Sequence, residues 1–328
     1  MTGFVSCDRQ QNRAERRIVT EHWDTIFQIG GFDPNDTTLV DPGELVLWDS
    51  LLVSEDDGSP ESVRAFSLSG EALWTFGRPG SGPGELSTIT TLAVGPDGLL
   101  WVFDSRNRKV VKLDQLGRLQ SEQVINLGAF PSQVAATAQT VVMTTQTARM
   151  GLILTDAHLG VLGRSRTPWP DSVTDAHNLQ AHVGAAPGRP IWVIAYQYGP
   201  GFVIGDSKSW KAYRYIDPIY FALKSGPRER TAGADTALYG ARSLNVIGDE
   251  IFMLFGGRPN RFSRPGALPT ELVDVYGLDG TYRRSLKLPS DTPSMVTDGE
   301  TFYVLTRTEE GLPTILALRP KVRPLNHG

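Results

Sequence analysis

The sequence predicts an all-β fold, a six-bladed β-propeller with four antiparallel strands per blade. Three observations lead there. The 328 residues include 34 glycines and 22 prolines, a density of turn formers that leaves little room for long helices. Short apolar runs joined by Gly-containing turns recur at roughly 40–50-residue intervals, the mark of a repeat architecture. Strand-like segments at the two ends of the chain complement each other as the halves of one closing blade.

Composition narrows the function classes. Hydrophobic residues make up 40% and charged residues 21%, the balance of an ordinary globular chain rather than a disordered one. No apolar run is long enough for a membrane-spanning helix. A single cysteine excludes an intrachain disulfide framework and any multi-cysteine zinc or iron–sulfur site. A formal net charge of −4 argues against a general nucleic-acid coat while permitting a local basic patch.

The first seventeen residues, MTGFVSCDRQQNRAERR, are polar and Arg-rich and carry the one cysteine, Cys7. Phe4-Val5-Ser6-Cys7 resembles a bacterial lipobox, in which an apolar and a small residue precede the lipidated cysteine. Residues 1–20 are then a tether or the end of a lipoprotein signal, and the protein is extracytoplasmic and lipid-anchored. The alternative is a disordered end with an incidental thiol on a cytoplasmic protein, since no apolar signal core precedes Cys7.

The clearest repeat spans Phe76–Leu119. Leu92-Ala93-Val94, the turn Pro96-Asp97-Gly98 and Leu100-Trp101-Val102-Phe103 read as strand, turn and strand. Val110–Asp114 follows as a third strand, Gln115-Leu116-Gly117 turns the chain, and Leu119 opens a fourth. Weaker copies end in Gly70, Gly160 and Gly280. Paired inner strands are expected near 45–54, 89–103, 132–144, 181–195, 243–255 and 295–305, one pair per blade. The last unit supplies three strands only, and Trp23–Ile29 matches the outer strand Leu73–Phe76, so the N-terminal strand is expected to complete the C-terminal blade. One propeller domain over 21–320, a tail over 321–328 and a monomer follow.

Within the strong repeat, Gly82-Pro83-Gly84-Glu85-Leu86, Asp97-Gly98, Trp101-Val102-Phe103-Asp104 and Asp104-Ser105-Arg106-Asn107-Arg108-Lys109 resemble the pattern of an NHL repeat, with lysine where that family usually has arginine. The resemblance implies a propeller and almost nothing about activity, because one fold hosts many functions. The motif residues read as structural. Gly80, Gly82 and Gly84 lack the Gly-Lys-Ser/Thr of a phosphate loop, and Asp104 and Asn107 suit capping of their own turn.

No catalytic constellation emerges. Gly205-Asp206-Ser207-Lys208-Ser209 lacks the second glycine of a nucleophile elbow. His177 and His182 are five residues apart, which puts them on opposite faces of a strand, although in a loop they could share a metal. His22, His158 and His327 fall at a turn or near the ends.

Loop lengths say more. Asp217–Arg242 joins blades four and five and Gly256–Glu271 interrupts blade five; both leave the same face, and connections this long in a compact domain are usually functional or disordered. In the first, from Lys224 to Arg242, the positives Lys224, Arg228, Arg230 and Arg242 stand against Glu229 and Asp235; in the second, Arg258, Arg261 and Arg264 stand against Glu271. Arg149 and Arg307 extend this basic rim, and Tyr196 and Tyr198 offer an aromatic platform beside it. Guanidinium forks suit carboxylate, phosphate or sulfate groups. The expected ligand-binding set is therefore Arg149, Tyr196, Tyr198, Arg242, Arg258, Arg261 and Arg307, with no catalytic residue, no metal ligand and no cofactor. The expected function is non-catalytic recognition of a protein, a glycan or an anionic small molecule. The alternative is a metal-assisted hydrolase or lyase with calcium or zinc at the channel mouth; RNA is disfavoured by the acidic total charge.

Overall fold

Successive side chains of a strand point to opposite faces, and in a ring of radial sheets each face packs on a neighbouring sheet, so the central strands of a blade must be apolar on both sides. The computed structural model describes residues 15–20, 22–33, 35–145, 151–166, 181–197, 199–217, 240–256 and 271–321. Two strands come first, β1 (Ile18–Thr20) and β2 (Trp23–Ile29). Blade one is β3 (Pro42–Trp48), β4 (Leu51–Asp56), β5 (Val63–Ser67) and β6 (Ala72–Phe76). Blade two is β7 (Ile89–Val94), β8 (Leu100–Asp104), β9 (Lys109–Leu113) and β10 (Leu119–Val124). Blade three is β11 (Pro131–Ala136), β12 (Val141–Thr145), β13 (Gly151–Thr155) and β14 (Val161–Arg166). Blade four is β15 (Ala181–Ala185), β16 (Trp192–Tyr196), β17 (Gly201–Gly205) and β18 (Trp210–Arg214). Blade five is β19 (Ala241–Ile247), β20 (Glu250–Phe255), β21 (Leu272–Gly277) and β22 (Tyr282–Lys287). Blade six has β23 (Ser294–Thr297), β24 (Phe302–Arg307) and β25 (Pro313–Pro320).

The innermost strands β3, β7, β11, β15, β19 and β23 touch in that order and back to β3, which closes the ring. The six inner pairs fall where the sequence predicts them. Each gap between blades is filled by its own apolar cluster. Trp48, Val53, Leu86, Leu92 and Val102 fill the gap between blades one and two. Phe202, Tyr215, Met253, Phe255 and Tyr276 fill the gap between four and five.

Ring closure is the expected one. β2 pairs antiparallel with β25, from Trp23 opposite Pro320 to Ile29 opposite Ile315. Trp23 packs edge-on against Phe302 at 5.1 Å and donates its indole N–H to the Lys287 carbonyl at 2.7 Å. The tether expected over residues 1–20 is corrected at its end. β1 pairs parallel with β22, as a fifth strand on blade five. Arg16 just before it gives two N–H groups to Asp274, at 3.0 and 2.7 Å, lies 4.9 Å over the Phe255 ring and also reaches Asp217. Asp274 is 1% exposed and further accepts the Ser285 hydroxyl, and a carboxylate so buried needs a cation against it. Residues 1–14, Cys7 among them, lie outside the described residues.

The recurring glycines have a packing reason. Gly70, Gly117 and Gly280 have φ of +90°, +73° and +80° in the turns before the outermost strands, a region that disfavours a side chain. Each also lies against an aromatic ring of the preceding blade's outer strand. An added Cβ would stand 2.7 Å from Phe27, 2.6 Å from Trp74 and 2.0 Å from Tyr213 respectively.

Candidate functional site at the channel mouth

Strands of each blade alternate in direction, so the connections from second to third strand and those between blades leave one common face. The second strands end at this face, and their last residues show how its polar groups are satisfied. In blade two Asp104 accepts backbone N–H groups of Ser87, Thr88 and Asn107 at 2.8, 3.2 and 3.1 Å and the Asn107 amide at 2.7 Å. Asn107 also donates to Gly80 O, and Lys109 donates to Gly82 O and Glu122. The glycine-rich segment is thus a locked connection between blades, as the sequence implies. Asp56 does the same work in blade one, accepting from Val40 and Asp41 N–H with Arg64 Nε 2.9 Å away.

The inner strands begin at this face, and four of them bulge at the same level. Register shifts fall between Pro42 and Leu45 in β3, Ile89 and Thr91 in β7, Pro131 and Gln133 in β11, and Ala241 and Ser243 in β19. A bulge leaves backbone groups out of the ladder and re-aims a side chain. Thr90 and Ser132 turn theirs to local use, donating their hydroxyls to Phe103 O at 3.2 Å and Thr144 O at 3.1 Å. The other two bulges carry charges instead, Glu44 and Arg242.

Glu44 is half-buried and accepts the Leu92 N–H at 2.7 Å, an inner-strand group of the next blade, with the Gln133 side chain of blade three nearby. Burial nevertheless pushes its carboxyl up to about 7. Beside it Glu55 is pushed up to about 8, by burial first and then by the charges of Glu44 and Asp57. Asp57 is raised as well, by burial and by Asp41. The buried Thr91 hydroxyl approaches Glu44 without hydrogen-bond geometry and has no other partner.

Across the ring stands a basic sector. His182 is the second residue of β15; its neighbours Ala181 and Val183 pack toward blade three, so its ring points the other way, toward blade five. Burial and the nearby Arg242 guanidinium push its pKa down to about 4, which leaves a neutral imidazole. That cation weighs against a metal on His182, and His177 lies outside the described residues. Among the described residues no group of three or more His, Cys, Asp or Glu is arranged to hold a metal ion.

Of the predicted binding set, Tyr196, Arg242 and Arg307 fall among the described residues. Arg242 belongs to the inner strand rather than to a loop. Arg307 is exposed at the end of β24, donating to Gly311 O at 2.9 Å and 3.5 Å from Asp41. Tyr196 corrects the aromatic platform. It is 1% exposed in the core between blades three and four, and its carbonyl accepts the Tyr215 hydroxyl at 2.7 Å. Its position, last in its strand, is the one Asp56 and Asp104 occupy, inside the rim rather than on it. Arg149, Tyr198, Arg258 and Arg261, with most of the two long connections, lie outside the described residues. Glu44, Thr91, Gln133 and Arg16 were not singled out by sequence reasoning; a charged residue at the start of an otherwise apolar inner strand was the available signal.

Fold and mouth together define a six-bladed β-propeller with a charged polar ring at one end of its axis. Solved structures with the same fold include a Bacteroides fragilis protein (TM-score 0.59, 9% identity, covering 92% of this chain and 96% of that one). Others are the WD40 repeats of RRP9 (0.53, 13%, 91% and 100%) and virginiamycin B lyase from Staphylococcus aureus (0.52, 10%, 90% and 99%). At such identities the likeness is one of fold alone. No family model matches the chain, so the narrower NHL-repeat assignment is not supported, and no curated protein sequence matches it.

Proposed function

We propose that the protein is a non-catalytic recognition module that binds a polar or anionic group of a small molecule, glycan or partner protein at the channel mouth. The observation that supports this most directly is the charged bulge of β19. It holds Arg242 beside the neutral His182 at the centre of the face from which the two long, Arg-bearing connections depart. A guanidinium with a neutral hydrogen-bonding imidazole suits a carboxylate, sulfate or phosphate. A rigid ring with aligned inner strands holds such groups without a folding cost on binding.

Thermal unfolding with sulfate, citrate, an acidic and a neutral oligosaccharide, calcium, zinc and chelator tests this reading. A ligand at 100 times its dissociation constant stabilises by about 2.7 kcal/mol. We expect anionic compounds to raise Tm, and Arg242→Ala, Arg258→Ala and Arg261→Ala together to abolish the rise. Destabilisation by chelator with rescue by one metal overturns it in favour of a metal-assisted enzyme. The lipid expected at Cys7 would place the module outside the cytoplasm on a membrane; incorporation of a labelled fatty acid, lost in Cys7→Ser, is the check.

A further inference from the structure

The two N-terminal strands do different work. β2 gives blade six, over seven residues, the fourth strand it lacks. β1 lays three residues parallel on a blade that already has four strands, with a register shift between Ile18 and Thr20. Ile18 and Val19 stay 41% and 44% exposed, so little apolar burial holds the strand. Its backbone hold is short as well. Ser285 N–H donates to the Arg17 carbonyl at 2.8 Å, and Arg17 N–H donates to the Tyr282 hydroxyl at 2.8 Å. A segment with so few buried contacts opens below the free energy of global unfolding. Its anchor is one side chain, in a socket with Asp274 as floor, the Phe255 ring as wall and Asp217 at the rim. Arg16 Nε and Nη2 reach the two oxygens of Asp274, Nη1 reaches Asp217, and the guanidinium carbon lies 4.9 Å over the ring. A planar five-donor fork makes these contacts together; a lysine ammonium, a point charge, does not.

We propose that the outer edge of blade five is a binding site for an extended, arginine-presenting segment of a partner protein, which the chain's own residues 16–20 fill in the free protein. This goes beyond the reading of the channel mouth and does not depend on it. The site has both parts of strand addition: an edge, β22, that takes backbone bonds, and a pocket beside it that selects one side chain. The occupant in place gives the partner's chemistry, an arginine followed two and three residues later by β-branched apolar residues, as in Arg16, Ile18 and Val19. Blade five is a complete four-stranded sheet without β1; what it requires is a cation against Asp274, and a guanidinium from another chain meets that need equally well. Because the built-in segment is tethered, it competes at an effective concentration on the order of millimolar. The contact is therefore autoinhibitory, and the partner enters when β1 lifts.

The test is fluorescence anisotropy with a labelled peptide RAERRIVTE, residues 13–21 of this chain, added to the full chain carrying Arg16→Ala. We expect saturable binding, about tenfold or more tighter than that of the same peptide with Arg16→Lys. Binding to the unaltered chain should be about a hundredfold weaker, because the tethered segment competes. Adding Asp274→Asn to the Arg16→Ala chain should abolish it. No saturable binding to a folded Arg16→Ala chain overturns the proposal, and equal binding of the lysine peptide overturns the guanidinium socket. A second measurement needs no variant and decides the matter if Arg16→Ala does not fold. The Ser285 N–H is bonded to β1, whereas Val275 lies in β21 between two strands of the blade. In the unaltered chain, amide hydrogen exchange at Ser285 should be about a hundredfold or more faster than at Val275. Equal rates would mean that β1 leaves only when the whole blade unfolds, and the site would then be closed to any partner.

Discussion

Blades two and five meet the same demand, satisfying buried polar groups near one face of the ring, with different stretches of chain. Blade two does it locally. Asp104, Asn107 and Lys109 lie within six residues of one another and tie down the connection that enters their own blade. Blade five buries Asp274 and takes its cation, Arg16, from 258 residues away, along with a fifth strand. A motif that satisfies itself can be read in one pass of the sequence. A partnership set by ring closure cannot, because nothing near Asp274 in the chain announces that its partner is Arg16.

Breaking the long-range partnership should have the larger effect. Arg16→Ala leaves a buried carboxylate without its cation, at a cost of about 3–5 kcal/mol, seen as a lower urea midpoint with unchanged slope. Burial already raises the Asp274 pKa with Arg16 in place. The folded variant can therefore relieve the loss by taking up a proton, and the deficit should shrink at pH 5 and grow at pH 8. A loss below 1 kcal/mol at pH 8 would mean that β1 is an ornament on blade five rather than part of it.

Asp104→Ala tests the local solution and should cost about 2–3 kcal/mol, for the buried N–H groups of Ser87, Thr88 and Asn107 left without an acceptor. Asn107→Ala should cost about 1 kcal/mol less, since Asp104 would still cap the backbone. Equal losses would show that the segment from Gly80 to Lys109 behaves as one indivisible network.

The glycines separate conformation from contact. Gly98 has φ +75° with open space around its Cβ direction, whereas Gly117 has φ +73° and faces Trp74. Gly98→Ala should cost about 1–2 kcal/mol for the left-handed backbone alone. Gly117→Ala should cost about 1–3 kcal/mol more, for the clash with the neighbouring blade.

Smallest is the pH response of the channel mouth. The raised pKa values of Glu44 and Glu55 mean that the folded state holds protons the unfolded chain gives up. Their stabilising effect is complete below about pH 4.5 and is lost as the pH rises through about 7 to 8. His182 acts in the other direction: its lowered pKa favours the fold above about pH 6.5, and that benefit is lost as the pH falls through about 4. Tm should therefore decline by a few degrees above pH 6.5, and Glu44→Gln should flatten that decline.

Strand spacing, turn glycines and apolar alternation are local properties, and by themselves they determined the propeller, its six inner pairs and the closing role of Trp23–Ile29. Phe76–Leu119 was legible in full because Asp104 and Asn107 act within their own blade. Tyr196 was misplaced because sequence spacing locates a strand end but not how deep the ring buries it; only packing against blade three decided that. The mouth was decided by tertiary structure for the same reason. Glu44, Thr91, Gln133, His182 and Arg242 are spread over five blades and almost 200 residues. They become neighbours because aligned registers bring the starts of five strands to one level around a common axis, and Arg16 finds Asp274 only when the chain's beginning folds back on blade five.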